Sequence, residues 1–310
     1  MNLQQLEYIV AIDNHRHFAR AAEACFVTQA TLSMMVKKLE EELGVQLFDR
    51  SKQPVSITLA GEIIIPQARK VLAEAARLKE LPKDLKNEIK GEIRLGIIPT
   101  LAPYLLPRFL SEFMQTYPDI SLKLVEISTA EILEQLQKDQ LDLGLMATPL
   151  QQAEFTEEVL FYEPFDVFVS KEEQELKKNY VLPGDLDINR LWLLEEGHCL
   201  RSQMVNLCEL QKKELNRNLH YEAGSIESLI RIVEVNKGIT IIPRLASLDL
   251  DAERKHQLRS FSSPEPVREI SLVSYRPFVK QKLREVLRDQ IRKLSSNWMQ
   301  VSESKKVIAI

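Results

Sequence analysis

The sequence predicts an α/β protein built in three regions. Three observations carry this. Residues 2–58 show helical apolar spacing and a helix–turn–helix whose second helix is bracketed by Thr28 and Gly44. Residues 59–90 carry one continuous apolar stripe, the mark of a long amphipathic helix. From residue 91 onward, strand-like and helix-like runs alternate, which favours an α/β domain with largely parallel sheets.

In the first region, Leu3, Leu6, Ile9 and Val10 recur at helical spacing, and HFARAAEACF reads as a short alanine-rich helix. Thr28 is a good N-cap for a helix from Gln29 to Leu43, and Gly44 stands where a left-handed cap is wanted. VQLFDRSKQPVSIT then reads as strand, polar tip and strand. Along 59–90, Ile64, Ala68, Val71, Leu72, Ala75 and Leu78 form the stripe, with Pro66 near the first turns as a candidate bend. A helix this long needs a partner: the plain reading is packing on the chain's own body, and the sharper one is pairing with its own copy in a dimer.

From residue 91, GEIRLGIIP is a strand and APYLLPRFLSEFMQTYP a helix; ISLKLVEIS, AEILEQLQKDQ and LDLGLMA repeat the pattern. FDVFVS starts another such set. About 220 residues of this rhythm suggest two small lobes.

Bulk composition excludes several classes. The 310 residues are 45% hydrophobic and 28% charged, ordinary for a globular chain. A net charge of −4 offers no global basic excess, so nucleic acid binding must come from a local surface. The N-terminus lacks a basic segment followed by an apolar run, and no stretch approaches a membrane span, so a cytoplasmic protein without membrane contact is expected. Three cysteines in such a setting do not make a structural disulfide framework.

Projected at helical spacing, Leu32, Met35, Val36, Leu39 and Leu43 form the core face of the second helix. Ala30, Ser33, Met34 and Lys37 form the opposite face, with Gln29 and Thr31 on the flanks. Small polar side chains at such a helix start suit base edges in a major groove, and Ala30 or Met34 suits thymine methyls. Thr28 and the free amides beside it suit a phosphate. Arg50 and Lys52, at the strand–turn–strand tip, suit phosphate or minor-groove contacts, like a wing. Against this, helix–turn–helix geometry also occurs in proteins that never touch DNA, and Glu40, Glu41 and Glu42 make the far end of the helix acidic.

AAEACFVTQATLSMMVKKLEEELGVQLFDR closely resembles the N-terminal signature of LysR-type transcriptional regulators, and the likeness extends through TLAGE and PQARKVL. Ala30 departs from it, since the family usually has proline there; alanine starts a helix nearly as well. The resemblance implies a winged helix-turn-helix that binds promoter double-stranded DNA, dimerisation by the long helix, and a periplasmic-binding-protein-like effector domain of two lobes. The expected domains are 1–58 for DNA binding, 59–90 for the linker helix and 91–310 for regulation. Lobe I takes 91–162 with 268–300, and lobe II takes 163–267. The resemblance also implies RNA polymerase as a partner and a dimer or dimer of dimers, and no enzyme activity or cofactor is expected.

Cys25, between Ala24 and Phe26, reads as an inert core thiol. Cys199 and Cys208 stand nine positions apart in GHCLRSQMVNLC. Metal binding wants tighter spacing and more ligands, although His198 and His220 are near. A lone catalytic thiol and unremarkable core thiols are further readings. If 199–208 is helical, nine steps of about 1.5 Å hold the Cα atoms ~13–14 Å apart, against the roughly 4.4–6.8 Å of a disulfide. Bridging them therefore demands a conformational change. Cys199 follows Gly197 and His198 at a helix start, and Arg201 adds positive charge, which favours a low-pKa thiolate. Such a thiolate is oxidised to a sulfenic acid that a second cysteine condenses with. Cys199 is then the peroxidatic thiol and Cys208 the resolving one.

GHCLRSQMVNLC is similar to the redox loop of the hydrogen peroxide-sensing LysR-type regulators, as are GIIPTLAPYLLP and YEAGSIESLIRIV. The resemblance implies peroxide oxidation of Cys199, a reversible Cys199–Cys208 disulfide, a remodelled effector domain and activation of antioxidant genes. It also implies that Thr100 and Thr129, at strand ends, line the peroxide pocket together with Gly197 and His198; by themselves both threonines read as helix N-caps. Glu227 and Arg231 suit a helical ion pair. Two other readings stay open: a LysR-type regulator that answers to a small metabolite, and a thiol peroxidase.

Overall fold

A computed structural model describes residues 1–85, 89–171, 180–181, 186, 190–208, 221, 223–275, 281–299 and 304–310. They fall into two compact units, one within Met1–Glu88 and one running from Ile89 to Tyr275 and from Lys282 to Ile310.

The first unit opens with α1 (Leu3–His15), α2 (Phe18–Ala24) and α3 (Gln29–Leu43). Each start is chemically marked. Asn2 and Gln5 exchange side-chain bonds with each other's amides in a capping box at α1. Thr28 Oγ1 accepts the Thr31 amide at α3, and Gly44 closes that helix at φ +69°. β1 (Phe48–Asp49) and β2 (Ser56–Ile57) pair antiparallel as a small wing. Ile9, Ile12, Leu32, Val36, Leu39 and Phe48 make the shared core.

α4 (Leu59–Leu85) continues through Pro66. Its single expected stripe divides in two. Ile65 and Ala68, with Ile64 and Leu72 beside them, pack on the first unit's core. Leu59, Ile63, Val71 and Leu78 are exposed. The division follows from the close seat of the helix: a Cβ on Gly61 would lie 2.4 Å from the Leu47 carbonyl oxygen, so only glycine lets α4 approach the wing this closely.

The second unit begins with β3 (Gly91–Ile97), α5 (Ala102–Thr116), β4 (Ile120–Glu126), α6 (Thr129–Gln137) and β5 (Leu143–Thr148). These strands pair parallel in the order β4–β3–β5. β6 (Phe155–Val169) is one long strand; the run at FDVFVS is its second half and not a new start. There follow β7 (Tyr180–Val181), α7 (Cys199–Leu207), α8 (Ile226–Asn236), β8 (Ile239–Pro243), α9 (Arg244–Leu248), α10 (Ala252–Lys255), β9 (Leu258–Phe261), β10 (Glu265–Tyr275), α11 (Gln281–Ser295) and β11 (Lys305–Val307).

β6 joins two sheets. From Phe155 to Pro164 it lies antiparallel to β10, which also pairs antiparallel with β5. From Phe165 to Val169 it pairs with β8 and β9 instead. The sheets are thus mixed, not largely parallel. β10 enters the first sheet from the second, against the direction of β5, and this reversal is what local βαβ patterns cannot reveal. No helix among the described residues is long and apolar enough to cross a membrane.

Candidate redox centre and nucleic-acid interface

Cys199 opens α7 and is 5% exposed. Gly197, at φ +99°, turns the chain into this helix; nothing crowds its Cβ position, so the backbone conformation alone calls for glycine. His198 occupies the N-cap position without a side-chain cap, and its Nε2 lies 3.5 Å from Glu195 Oε1.

Burial pushes the Cys199 thiol up. Four groups oppose this, in decreasing order: the Arg268 charge, the Thr129 hydroxyl, and the amides of Leu200 and of Cys199 itself. The expected low-pKa thiolate is therefore corrected: the amides at the helix start do favour the anion, but loss of water outweighs them. Arg201 is also not the charge at the sulfur. Its Nη1 donates to the Leu194 carbonyl at 2.7 Å, and its Nη2 lies 4.0 Å from Glu196.

Arg268, on β10, comes from outside every motif singled out in the sequence. It is fully buried, Nη2 to Oε2 at 2.8 Å from Glu163. Nη1 donates to Thr100 Oγ1 at 2.9 Å and Nη2 to the Thr100 carbonyl at 3.0 Å. Since Thr100 Oγ1 accepts from Arg268, the single hydroxyl proton of Thr100 is left to donate elsewhere. The signal that reveals the pair is a charge inside an apolar strand, in YEPFDVFV and in PVREISLV.

Neither threonine caps a helix. Leu101 holds the N-cap position of α5 without a side-chain bond, and Ser128 caps α6 in a box with Glu131. Thr129 Oγ1 is buried with no hydrogen-bond partner at full geometry, yet it lies close enough to Cys199 to favour the ionised sulfur. Thr100 comes from the turn after β3, Thr129 from the first residue of α6 and Cys199 from α7, so the thiol site draws on both lobes.

Cys208 is the C-cap of α7 and half-buried, and burial pushes its thiol up to about 11. All three cysteines are free thiols. Among the described residues no cluster of three His, Cys, Asp or Glu side chains suits a metal; His220 lies outside those residues. Glu227 bonds the Tyr104 hydroxyl and not the expected Arg231, which is exposed.

The other candidate surface lies on α3. Thr28, Gln29, Ala30, Thr31, Met34 and Lys37 are exposed along one face, and Ser33 is half-buried beside them. Arg50 Nη1 donates to Ser33 Oγ at 3.0 Å and Nη2 to Glu40 Oε2 at 2.9 Å, while its guanidinium lies 4.9 Å from the Phe18 ring centre. Arg50 thus braces the wing against α3 while part of it stays exposed. Lys52 is exposed, 3.7 Å from Asp49. Glu40 does not add to an acidic helix end as expected: it is buried, and its Oε1 accepts the Leu47 amide at 2.8 Å. Cys25 is half-buried, with its thiol pushed up by burial, but its expected apolar setting is incomplete because Phe26 is 96% exposed at φ +56°.

A winged helix–turn–helix joined by a long helix to a two-sheet α/β domain defines a DNA-binding transcriptional regulator, not an enzyme. The chain belongs to the LysR family: residues 3–62 match the bacterial regulatory helix-turn-helix protein model of the lysR family, and residues 86–295 match the LysR substrate binding domain. It is 37% identical over 277 residues to the hydrogen peroxide-inducible genes activator of Haemophilus influenzae, covering 89% of this chain and 91% of that one. It is similar to full-length OxyR of Pseudomonas aeruginosa carrying a cysteine-to-aspartate substitution, with TM-score 0.78 and 35% identity, covering 94% and 98% of the two chains. A Corynebacterium glutamicum OxyR mutant with H2O2 bound matches at TM-score 0.61 and 27% identity, covering 97% of each chain.

Proposed function

We propose that this chain is a cytoplasmic, hydrogen peroxide-responsive activator of antioxidant genes whose switch is the Cys199–Cys208 thiol pair. One observation carries the reading: a buried thiol is ringed by a charge, a hydroxyl and two helix amides that all favour its anion. Burial keeps the resting thiol protonated, and those groups act in full only as negative charge develops on sulfur.

Peroxide has no charge to grip, so oriented donors must place it. In this reading Thr100 and Thr129 hold it in line with the sulfur, beside the backbone of Gly197 and His198. The Cys199 thiol gives up its proton as sulfur attacks one peroxide oxygen; the S–O bond forms, the O–O bond breaks, and the departing hydroxide takes a proton to leave as water. Cys208 then attacks the sulfenic sulfur, the S–S bond forms, and a second water leaves. Two thiols and one peroxide become one disulfide and two waters. A thiol reductant reverses it.

Because α7 holds nine residue steps between the cysteines, the Cα atoms stand ~13–14 Å apart and the helix must open before they meet. That opening is the signal sent to the DNA-binding unit. The exposed face of Leu59, Ile63, Val71 and Leu78 supports pairing of α4 with its copy in a dimer, or in a dimer of dimers, which meets promoter DNA and RNA polymerase. On DNA, Gln29, Ala30, Thr31, Ser33, Met34 and Lys37 meet base edges, while Thr28, Arg50 and Lys52 meet phosphates.

The test is mass spectrometry after a brief, near-stoichiometric peroxide pulse, with DNA footprinting of the same sample. A Cys199–Cys208 linkage with an altered footprint is expected. No linkage, or a linkage with an unchanged footprint, sinks the switch. A Cys199→Ser variant that still responds to an inducer selects the small-metabolite reading.

A further inference from the structure

The last residues of the chain return to the helix that carries the two thiols. β11 runs parallel to β10, in register from Glu265–Lys305 to Val267–Val307. The Ile308 amide then donates to the Val267 carbonyl at 2.9 Å, and the Ile308 side chain is buried. The tail is thus anchored beside Arg268.

From that anchor it reaches α7 at two points. Gln203 Nε2 donates to the Ile308 carbonyl at 3.0 Å, and Asn206 Nδ2 donates to the Ala309 carbonyl at 3.2 Å. Gln203 is fully buried, where a donor without a partner is costly, and the tail carbonyl is the partner its Nε2 has found, while its Oε1 has none. Residues 203 and 206 are three apart, so they share one face of a helix and meet two successive tail carbonyls. Both lie between Cys199 and Cys208.

We propose that Gln203 and Asn206 are positioning residues for the thiol pair: through the C-terminal tail they latch α7 in its closed, reduced form. The latch rests on the redox reading above. Joining the sulfurs removes roughly 7 Å of separation between residues 199 and 208, which unwinds the turns between them. The two amides then leave their common face and release the tail carbonyls. A tail that grips the reduced helix alone stabilises the reduced form by linkage, and oxidation must strip it off. The tail thereby helps set how much oxidant is needed.

The test uses the full-length chain in glutathione buffers of graded potential, with thiol trapping to count the Cys199–Cys208 disulfide. Deleting residues 304–310 should favour the disulfide by about tenfold in equilibrium constant, the worth of one or two modest hydrogen bonds. Asn206→Ala, an exposed site that leaves the core intact, should shift the balance the same way by a few-fold. In the wild-type chain, the Gln203 side-chain amide protons should exchange slowly when reduced and fast when oxidised. A disulfide that forms while the Gln203 side-chain amide stays protected, or unchanged midpoints in both variants, overturns the latch but leaves the switch standing. A wild-type chain that forms no linkage overturns both.

Discussion

Glu163 and Arg268 stand opposite each other on β6 and β10, paired in register, both without solvent exposure, and 2.8 Å apart. The pair lies one residue before β6 turns from the first sheet toward the second. Arg268 spends its other nitrogen on Thr100, and Glu163 spends its other oxygen on the Leu245 amide at 2.8 Å, near the start of α9. One ion pair therefore ties the thiol site to both lobes.

Breaking half of this pair leaves a buried charge unpaired. Glu163→Gln should cost about 3–5 kcal/mol in urea unfolding, and the double variant Glu163→Gln with Arg268→Met should cost clearly less. The double variant should still oxidise poorly. Arg268 favours the ionised Cys199, so its loss raises the thiol further; each pKa unit is about tenfold in thiolate at neutral pH. The rate profile for Cys199 alkylation should move to higher pH. A profile that stays in place removes Arg268 from the chemistry.

Thr100→Val and Thr129→Val should each slow peroxide oxidation by roughly ten- to a hundredfold, as loss of one oriented donor does. DNA affinity of the reduced chain should not change. Stopped-flow oxidation and fluorescence anisotropy on the same preparations separate the two effects. Unchanged oxidation rates would remove both hydroxyls from the pocket.

Cys208 gives stability a pH dependence. Its thiol rises from 9.0 to about 11 on folding. A raised folded-state value means the stabilisation is fully present below pH 9 and is lost as pH climbs through about 11. The size is about 2–3 kcal/mol before allowance for partial exposure. Urea midpoints from pH 8 to 11 should fall in the wild-type chain, and Cys208→Ser should flatten that part of the fall.

Contacts to DNA should separate by kind. Lys52→Ala, on the wing, should weaken binding to all sequences alike and lower the salt slope by about one, while Gln29→Ala, on α3, should cost about 1–3 kcal/mol on specific DNA with little change in slope. Glu40→Ala should weaken binding although it faces the core. It leaves the Leu47 amide unpartnered and Arg50 held only by Ser33 and the Phe18 ring, so the wing loosens, at about 1–3 kcal/mol of stability. Anisotropy across a salt series, with thermal melts, reads all three.

Local chemistry made α3 legible. Thr28 and Gly44 bracket it because caps are written in the few residues beside a helix end. The βαβ run to β5 was legible for the same reason. What escaped depends on residues far apart in the chain. Glu163 and Arg268 are 105 positions apart, and only the return of β10 brings them together. Arg201 sat beside Cys199 in sequence, yet the Leu194 carbonyl draws it away. Neighbours in sequence report charge, whereas the burial that raises the Cys199 thiol is a property of the whole fold. The tail's return to α7 left no local mark at all.

The sharing of β6 between two sheets has a thermodynamic consequence. A strand whose first half belongs to one sheet and whose second half belongs to the other cannot be withdrawn from either without pulling paired backbone out of both. The passage from β9 to β10 returns the chain from the second sheet to the first, a second crossing between the lobes. The two lobes of the effector unit should therefore melt as a single calorimetric transition, whose van't Hoff and calorimetric enthalpies agree, and neither lobe should fold when expressed without the other.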